Sequence, residues 1–443
     1  MKRPHTSVLI VVMLFATQPL MSYADTGDDS TKTAANNTLT MDAQIVTRGE
    51  IRKGGLPEND FDEDLAAFFM ERTRLSLTYS RPYLDVKIAP QHSGVWGQSG
   101  KGSLNLYETW FQLKARNGLF TRIGRQQLSY DNERIIGPDD WAMAASSHDV
   151  LKAGYEGHGH KAHGIFAFNQ NAENTNGGTY YKNGAQPYKT MGILWYHYDV
   201  PKTDLGFSII FMNIGMQGDL SEENINKNEY QQFLGGYVLY TPAQWLIEGS
   251  YYRQFGNNEG GIPIRSWMAS GKVEYTPIQK LKLTAGYDYM SGDEYYYVRE
   301  KDQAGLIRHS KIKGFSTIYG SHHQFYGAMD FFYISTYRDG FTPGLQNIYF
   351  GATTSPIKKL HINTSYHYYA TTTKLKKWEK TLGHALEVTA AYQFMPDASI
   401  SAGYSFMKGS DTMEALKCSS EDKRLQWAWI TVAVSPRIFK TKW

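Results

Sequence analysis

The sequence predicts an all-β fold, namely an antiparallel transmembrane β-barrel of about 18 strands with short periplasmic turns and long extracellular loops. Three observations support this prediction: strict two-residue alternation, a regular succession of short and long connections, and a high content of aromatic residues. Successive side chains on a β-strand point to opposite faces. Strands of about ten residues with one apolar and one polar or small face are typical of barrels that separate lipid from a polar lumen.

The clearest alternation lies between residues 384 and 407. Its first run places Leu386, Val388, Ala390, Tyr392 and Phe394 on one face, with small or polar residues between them. A tight turn at 395–397 contains a proline and an aspartate, residues that favour turns. A second run then alternates in the same way through residue 406. The two runs therefore predict a hairpin of the barrel wall.

Alternating segments of this kind fill the chain after residue 38. The predicted strands are 39–51, 68–79, 84–91, 104–116, 119–127, 149–156, 160–169, 190–199, 205–217, 229–240, 245–256, 264–275, 281–292, 345–355, 360–371, 384–394, 398–409 and 425–435. Short connections rich in Pro, Gly, Asn and Asp alternate with long ones throughout. Counting residues 322–333 as a further strand would break this alternation. We therefore assign them to the long loop 293–344, expected to form a constriction or lid of the pore.

The two ends of the chain predict export and membrane assembly. Residues 1–24 have the two basic residues, apolar stretch and small residues of a signal peptide. Residues 25–37 form a polar lead-in, and residues 38–443 form the barrel. The terminal Trp443 resembles the recognition signal of the bacterial barrel-assembly machinery. These features predict location in the bacterial outer membrane, with outer-membrane lipid and the assembly machinery as partners.

Composition narrows the class of protein further. A mean hydropathy of −0.48 excludes a membrane protein built from apolar helices, whereas 32 Tyr, 21 Phe and 10 Trp suit the aromatic girdles of a barrel. The single cysteine, Cys418, precludes an intrachain disulfide. The net charge of +3 gives no reason to expect a nucleic-acid partner.

Strand parity turns several charged side chains toward the lumen. A charge facing lipid at mid-bilayer costs about 2–4 kcal/mol, which favours the inner face. The inward bases are Arg48, Arg72, Arg74, Lys87 and Lys114, and the inward acids are Glu50, Asp85 and Glu108. Arg122 and Arg125 are further candidate pore-lining bases, although they are three residues apart and cannot both face inward. Because guanidinium groups pair with carboxylates and phosphates, this cluster suits an anionic solute. Equally, the acids can neutralise the bases in a structural network, and both roles can coexist.

A long loop after residue 127 carries the acidic residues Asp131, Glu133 and Asp140. Carboxylate oxygens are ligands for Ca²⁺, so these residues are a candidate calcium site. The alternative is a loop held against the basic wall by ion pairs. No other metal site or cofactor is predicted. The run Ser146-Ser147-His148-Asp149 lacks a diagnostic catalytic motif, and we do not expect an enzyme.

Several short motifs resemble the alginate export family of outer-membrane barrels. They are Gly124-Arg125-Gln126, Glu133-Arg134-Ile135, Asp140-Trp141 and Gly327-Ala328-Met329-Asp330, the last lying upstream of Asn347. The resemblance implies a monomeric barrel of 18 strands in which inward-folded loops shape an arginine-rich constriction for a uronate polysaccharide. It also implies that Arg125 and Arg134 line the pore.

The combined expectation is an outer-membrane channel for passive passage of anionic solutes, in particular acidic saccharides. Two other classes of function remain open. One is a binding or structural barrel that is plugged by its loops and does not conduct. The other is a barrel enzyme with catalytic residues at the rim.

Overall fold

The strands form one closed antiparallel barrel in the computed structural model. The structure describes residues 37–53, 65–98, 102–170, 173, 175, 188–217, 227–293, 311–332, 342–375, 378–417 and 424–443. The predicted signal peptide and nearly all of the lead-in lie outside these residues. No helix among the described residues is long and apolar enough to span a membrane.

The strand boundaries agree with the alternation in the sequence to within a few residues. The strands are β1 (Thr38–Lys53), β2 (Ala66–Arg81), β3 (Leu84–Val95), β4 (Ser103–Lys114), β5 (Leu119–Gln126), β6 (His148–Gly157), β7 (His160–Phe168), β8 (Thr190–Asp199), β9 (Leu205–Gln217), β10 (Asn228–Tyr240), β11 (Trp245–Asn257), β12 (Pro263–Ile278), β13 (Leu281–Met290), β14 (Leu345–Thr354), β15 (Leu360–Ala370), β16 (Thr381–Met395), β17 (Ala398–Gly409), β18 (Arg424–Val434) and β19 (Arg437–Lys442). The described residues also form a short α-helix, α1 (Asp411–Lys417), after β17 and a single 3-10 turn at His322–Gln324.

The barrel closes between the first and last strands. β1 pairs with β18 from Ile45↔Val434 onward and with β19 from Thr38↔Lys442 onward. β18 and β19 are separated only by Ser435 and Pro436, and proline cannot donate a ladder hydrogen bond. Because β18 and β19 pair with successive parts of β1, they count together as one strand of the wall. The predicted barrel of 18 strands is therefore confirmed.

The outer face of the barrel is an apolar belt. Large side chains such as Ile209 and Leu386 are about half exposed there, as expected for groups that contact lipid rather than water. Aromatic pairs stack near both ends of the strands. Trp245 lies 4.3 Å from Tyr275 (ring centroids) at the short-turn end, and Trp267 lies 4.7 Å from Tyr289 toward the long-loop end.

Two segments fold into the barrel from the long-loop end. Inner loop A comprises residues 127–147, between β5 and β6, and inner loop B comprises the described residues 311–332, between β13 and β14. They pair in parallel through Ile136 and Tyr319. Buried side chains of both loops contribute to one apolar cluster with the inner face of the wall, including Met191, Met212 and Phe233. The part of 322–333 that is described, up to residue 332, is loop rather than strand, as predicted.

Candidate functional site: a basic inner wall and the loops that cover part of it

The predicted inward bases lie on neighbouring strands and share one wall of the interior. On β1, Arg48 is buried while Ile45 and Ile51 are exposed on the other face, and the same alternation turns Arg72 and Arg74 inward on β2. The same wall carries Lys87 on β3, Lys114 on β4, Arg122 on β5 and Lys152 on β6. We name this surface the basic wall. Inner loop A divides it into two groups.

The first group, which we name the covered bases, consists of Arg48, Arg72 and Arg74. Arg72 donates hydrogen bonds to the carbonyl oxygens of Asp140 and Ala142 and to the Asp140 carboxylate, at 3.0–3.3 Å. Arg74 contacts the other carboxylate oxygen of Asp140 at 3.2 Å. Only 4% of the Arg72 side chain is exposed. These two guanidinium groups therefore hold inner loop A against the wall.

Arg48 holds the next residue of the same loop. Its guanidinium lies 3.9 Å from the Trp141 ring centroid and donates to the Trp141 carbonyl oxygen at 3.1 Å. The Trp141 ring also stacks on His323 of inner loop B, with ring centroids 3.8 Å apart. Glu50, buried beside Arg48 at 3.0 Å, compensates its charge and also pairs with Arg52. The covered bases thus serve the second role expected of this cluster, a structural network.

The second group, which we name the accessible bases, consists of Lys87, Lys114, Arg122 and Lys152. Lys114 pairs with Asp85 at 2.7 Å, and Lys87 pairs with Glu108. About a quarter of each lysine side chain is exposed. Arg122 donates to the neutral Gln112 at 2.8 Å and lies over the Trp110 ring. Among the described residues, neither Arg122 nor Lys152 has a carboxylate within 4 Å, so two carboxylates serve four bases.

Arg122 and Lys152 also lie directly opposite each other on β5 and β6. Like charges in that position repel, so folding gains nothing from placing them together. The Lys152 ammonium group is 5.2 Å from the Tyr130 ring centroid and 5.8 Å from that of Phe120. Glu156, on the same face of β6, contacts His163 at 2.9 Å instead. Glu108 and Glu156 attract these cations only from beyond ion-pairing distance, so an anion that contacted both cations beside the aromatic rings would stabilise them further.

Arg134 lies away from the basic wall, at the centre of the barrel filling. Its guanidinium is 3.0 Å from Asp288 on β13 and donates to the Tyr326 hydroxyl of inner loop B at 2.7 Å. Only 2% of its side chain is exposed. Burial of this kind prevents contact with a passing solute. The structure therefore places Arg134 in the contact between the two loops and the wall, not on an open pore surface.

A buried chain of polar contacts continues from Asp288 along the wall. Asn347 donates to Asp288 at 2.9 Å, and its own oxygen lies 2.9 Å from the His367 ring. His367 is in turn 3.7 Å from Glu387. Glu387 accepts the backbone N–H of Ala328 in inner loop B at 2.7 Å. This network ties both loops to four adjacent strands, and its members are nearly fully buried.

The motif glycines permit this arrangement of the backbone. Gly124 has φ +123°, and a Cβ there would lie 2.2 Å from the carbonyl oxygen of Thr109. Gly327 has φ +94°, and a Cβ there would lie 2.1 Å from the Tyr369 hydroxyl. Only glycine fits either position without displacement. Three of the four motifs that carry the family resemblance lie in inner loops A and B, whereas Gly124-Arg125-Gln126 lies on β5 directly before inner loop A.

The three loop carboxylates proposed for Ca²⁺ are engaged with different partners. Asp131 accepts hydrogen bonds from Trp195 at 3.0 Å and from Ser208, and burial raises the pKa of its carboxyl group. Glu133 accepts from Ser321 at 2.8 Å. Asp140 faces the covered bases. Within the described residues, no group of three or more His, Cys, Asp or Glu side chains converges as a metal site requires.

Arg125 lies on the opposite face of β5 from Arg122. It lies on the same face of β5 as the exposed Ile123. Its guanidinium donates to both carboxylate oxygens of Asp149, at 2.9 and 2.7 Å. It thus does not join the basic wall. The neighbouring His148 places Nδ1 2.7 Å from the Tyr188 hydroxyl, so His148 and Asp149 do not form the proton relay of a Ser–His–Asp triad.

Lys152 was not predicted from the sequence as an inward base. The two faces of β6 differ little in polarity, because the inward positions include the apolar Val150 and also Gly154, so alternation does not identify the inner face. The signal that identifies it is its register opposite Arg122. Asp288, by contrast, has the inward parity of β13, opposite to the exposed Leu283 and Tyr287, but its pairing with Arg134 joins segments more than 150 residues apart and leaves no local pattern.

The closed antiparallel barrel of 18 strands, with a polar wall and inward-folded loops, is the architecture of outer-membrane porins. No family model and no curated protein matches the sequence. Solved structures of Pseudomonas aeruginosa proteins are similar: OccK2 (OpdF) has a TM-score of 0.61 at 10% identity, over 90% of this chain and 98% of that chain. OccK5 (OpdH) has a TM-score of 0.58 at 11% identity, over 90% and 99%. OccK2 in complex with glucuronate has a TM-score of 0.59 at 11% identity, over 90% and 98%. At this identity the likeness concerns the fold.

Proposed function

We propose that this protein is a bacterial outer-membrane channel for passive passage of anionic solutes. The apolar outer belt with aromatic pairs toward both ends supports insertion in a bilayer, and the fold is that of outer-membrane porins. The observation that carries the anion preference is the excess of cations among the accessible bases. Lys87, Lys114, Arg122 and Lys152 have two carboxylate partners between them.

The solutes we propose are acidic saccharides. Arg122 and Lys152 can hold a carboxylate, while the nearby rings of Trp110, Phe120 and Tyr130 offer apolar surface to a sugar ring. The similar channel OccK2 was solved in complex with glucuronate, which is such a compound. Membership of the alginate export family, with passage of a uronate polysaccharide through a monomer, stays a proposal that rests on the motifs. Insertion by the barrel-assembly machinery is likewise a proposal, and it rests on the resemblance of Trp443 to the recognition signal of that machinery.

Planar-bilayer recording under a KCl gradient tests this function. The wild-type protein should give a reversal potential that indicates preference for chloride over potassium. Replacing both cations, in the variant Arg122→Gln/Lys152→Gln, should reduce that preference because it removes the two charges without carboxylate partners. Glucuronate added to one side should carry current through the wild-type channel and less through the variant.

Lys358→Gln provides the matched control. Lys358 is an exposed lysine on the short turn between β14 and β15, outside the lumen, so its loss should leave the reversal potential unchanged. A cation preference in the wild-type protein would refute the proposed function. So would an equal shift in the Lys358 variant and the Arg122/Lys152 variant.

A barrel closed by its own loops is the second candidate function. Inner loops A and B fill the apolar side of the interior and are fixed by the buried pair of Arg134 and Asp288. Under this function, the wild-type protein would carry no current. A variant lacking residues 311–332 would then conduct. Conductance of the wild-type protein excludes this candidate.

A further inference from the structure

A cleft of about 620 Å³ lies at the long-loop end of the barrel, outside the basic wall. It forms where β5 stops short of its neighbour. β4 pairs with β5 only from Thr109 onward, so the first residues of β4 have no partner on that side. Inner loop A crosses this gap, and Ala144 and Ser146 of the loop form part of the cleft surface. The volume suits a small-molecule ligand of a few rings.

The charges around the cleft differ from those of the basic wall. Its arginine, Arg125, is already neutralised by the bidentate contact with Asp149, and Asp139 adds a second carboxylate. Burial and the nearby Asp330 raise the pKa of the Asp139 carboxyl group. The cleft therefore offers no excess of cations to an anion.

The rest of the lining combines apolar residues, such as Leu106 and Ile318, with polar groups that bind hydroxyls. Asn105 and Asn169 each carry an amide donor and an amide acceptor, and Tyr319 adds a ring face. His148, which is buried, lines the same cleft, and its Nε2 atom has no hydrogen-bond partner among the described residues. A buried polar atom without a partner is unfavourable by about 1–3 kcal/mol, and a ligand hydroxyl would satisfy it.

The cleft also adjoins the covered bases. Tyr107 lines it and lies against Arg74 on its other side, with the guanidinium 3.6 Å from the ring centroid. Asp139 precedes Asp140, the acid that pairs with Arg72 and Arg74. A solute bound here would occupy the long-loop mouth before it reached the accessible bases.

We propose that this mouth cleft is a binding site for the hydroxyl groups of a saccharide, separate from the anion-binding basic wall. Neutral and acidic sugars bind it alike, because its polar groups recognise hydroxyls rather than a carboxylate. This proposal rests on the proposed function, because the cleft lies on a transport path only if the barrel is a channel. Together the two sites would select solutes that carry both hydroxyls and a negative charge.

Isothermal titration of the full-length protein in detergent micelles with maltotriose, a neutral probe, tests the cleft directly. Maltotriose should bind the wild-type protein. Ala144→Trp, which fills the cleft from an exposed loop position, should weaken that binding at least tenfold. Ala66→Trp makes the same change at an exposed position at the start of β2, at the same end of the barrel, and should not affect binding.

A second variant separates this proposal from the proposed function. Arg122→Gln/Lys152→Gln should leave the maltotriose Kd unchanged while it reduces the anion preference of the channel. Failure of maltotriose to bind, or equal binding by Ala144→Trp, would overturn the cleft proposal and leave the anion channel standing. A wild-type protein that binds maltotriose but shows no preference for anions would overturn only the channel function.

Discussion

The covered and the accessible bases occupy the same wall, yet the structure gives them different surroundings. Arg48 and Arg72 lie beneath inner loop A, where backbone carbonyls, Asp140 and the Trp141 ring satisfy them. Arg122 and Lys152 lie beyond the loop and have no carboxylate within ion-pairing distance among the described residues. The difference shows that an inward base can bind an anion only where no loop of the same chain already forms hydrogen bonds or ion pairs with that base.

The largest expected effect concerns the buried pair that fixes the loops. Arg134→Met leaves Asp288 without its cation in the barrel interior, and breaking a buried pair in this way costs about 3–5 kcal/mol. Urea unfolding, followed by tryptophan fluorescence in detergent micelles, measures the loss.

The double variant Arg134→Met/Asp288→Leu is the control for that measurement. It removes both charges and should recover much of the lost free energy of unfolding, because no unpaired charge remains. Equal stability of Arg134→Met and the wild-type protein would show that the pair does not hold the loops.

A smaller effect is expected for a covered base. Arg72→Met removes a charged donor from two carbonyl oxygens and one carboxylate, and hydrogen bonds to charged groups contribute about 1.5–3 kcal/mol. Inner loop A should then detach more readily, so protease cleavage within 127–147 should be faster and single-channel conductance larger. Unchanged cleavage and conductance would contradict the role of the covered bases as loop attachments.

The smallest effect on stability is expected for an accessible base. Lys114→Met breaks the pair with Asp85, but 29% of the lysine side chain is exposed, and such pairs contribute about 0–1 kcal/mol. Ion selectivity should change nonetheless, with the reversal potential moving toward cation preference. A stability loss as large as that of Arg72→Met would remove the distinction between the two groups of bases.

The sequence predicts the wall of the barrel better than its filling. Two-residue alternation is a local consequence of strand geometry, so Leu386 and Val388 reveal their face without any knowledge of neighbours. Apolar residues on the inner face, such as Met212, break the rule that apolar side chains face lipid. They are buried because the inner loops pack on them. Alternation along a strand cannot show this packing, since it depends on loops that lie elsewhere in the sequence.

The motif residues show the same limit in the candidate site. Arg134 and Arg125 are predicted to line the pore from a family resemblance, whereas one is buried against Asp288 and the other faces Asp149 on the outer parity of β5. Lys152 has no motif at all. Its importance follows from its register opposite Arg122, which strand pairing creates.

The sequence by itself determined the strand number, the inward parity of the bases on β1–β4 and the assignment of residues 322–332 to a loop. Each of these follows from local periodicity and from the spacing of turns. Only the tertiary structure decided which bases the loops cover, which remain without acids, and where the mouth cleft forms. Those outcomes depend on contacts between segments far apart in the chain, and the free energy of such contacts leaves no periodic pattern in the sequence.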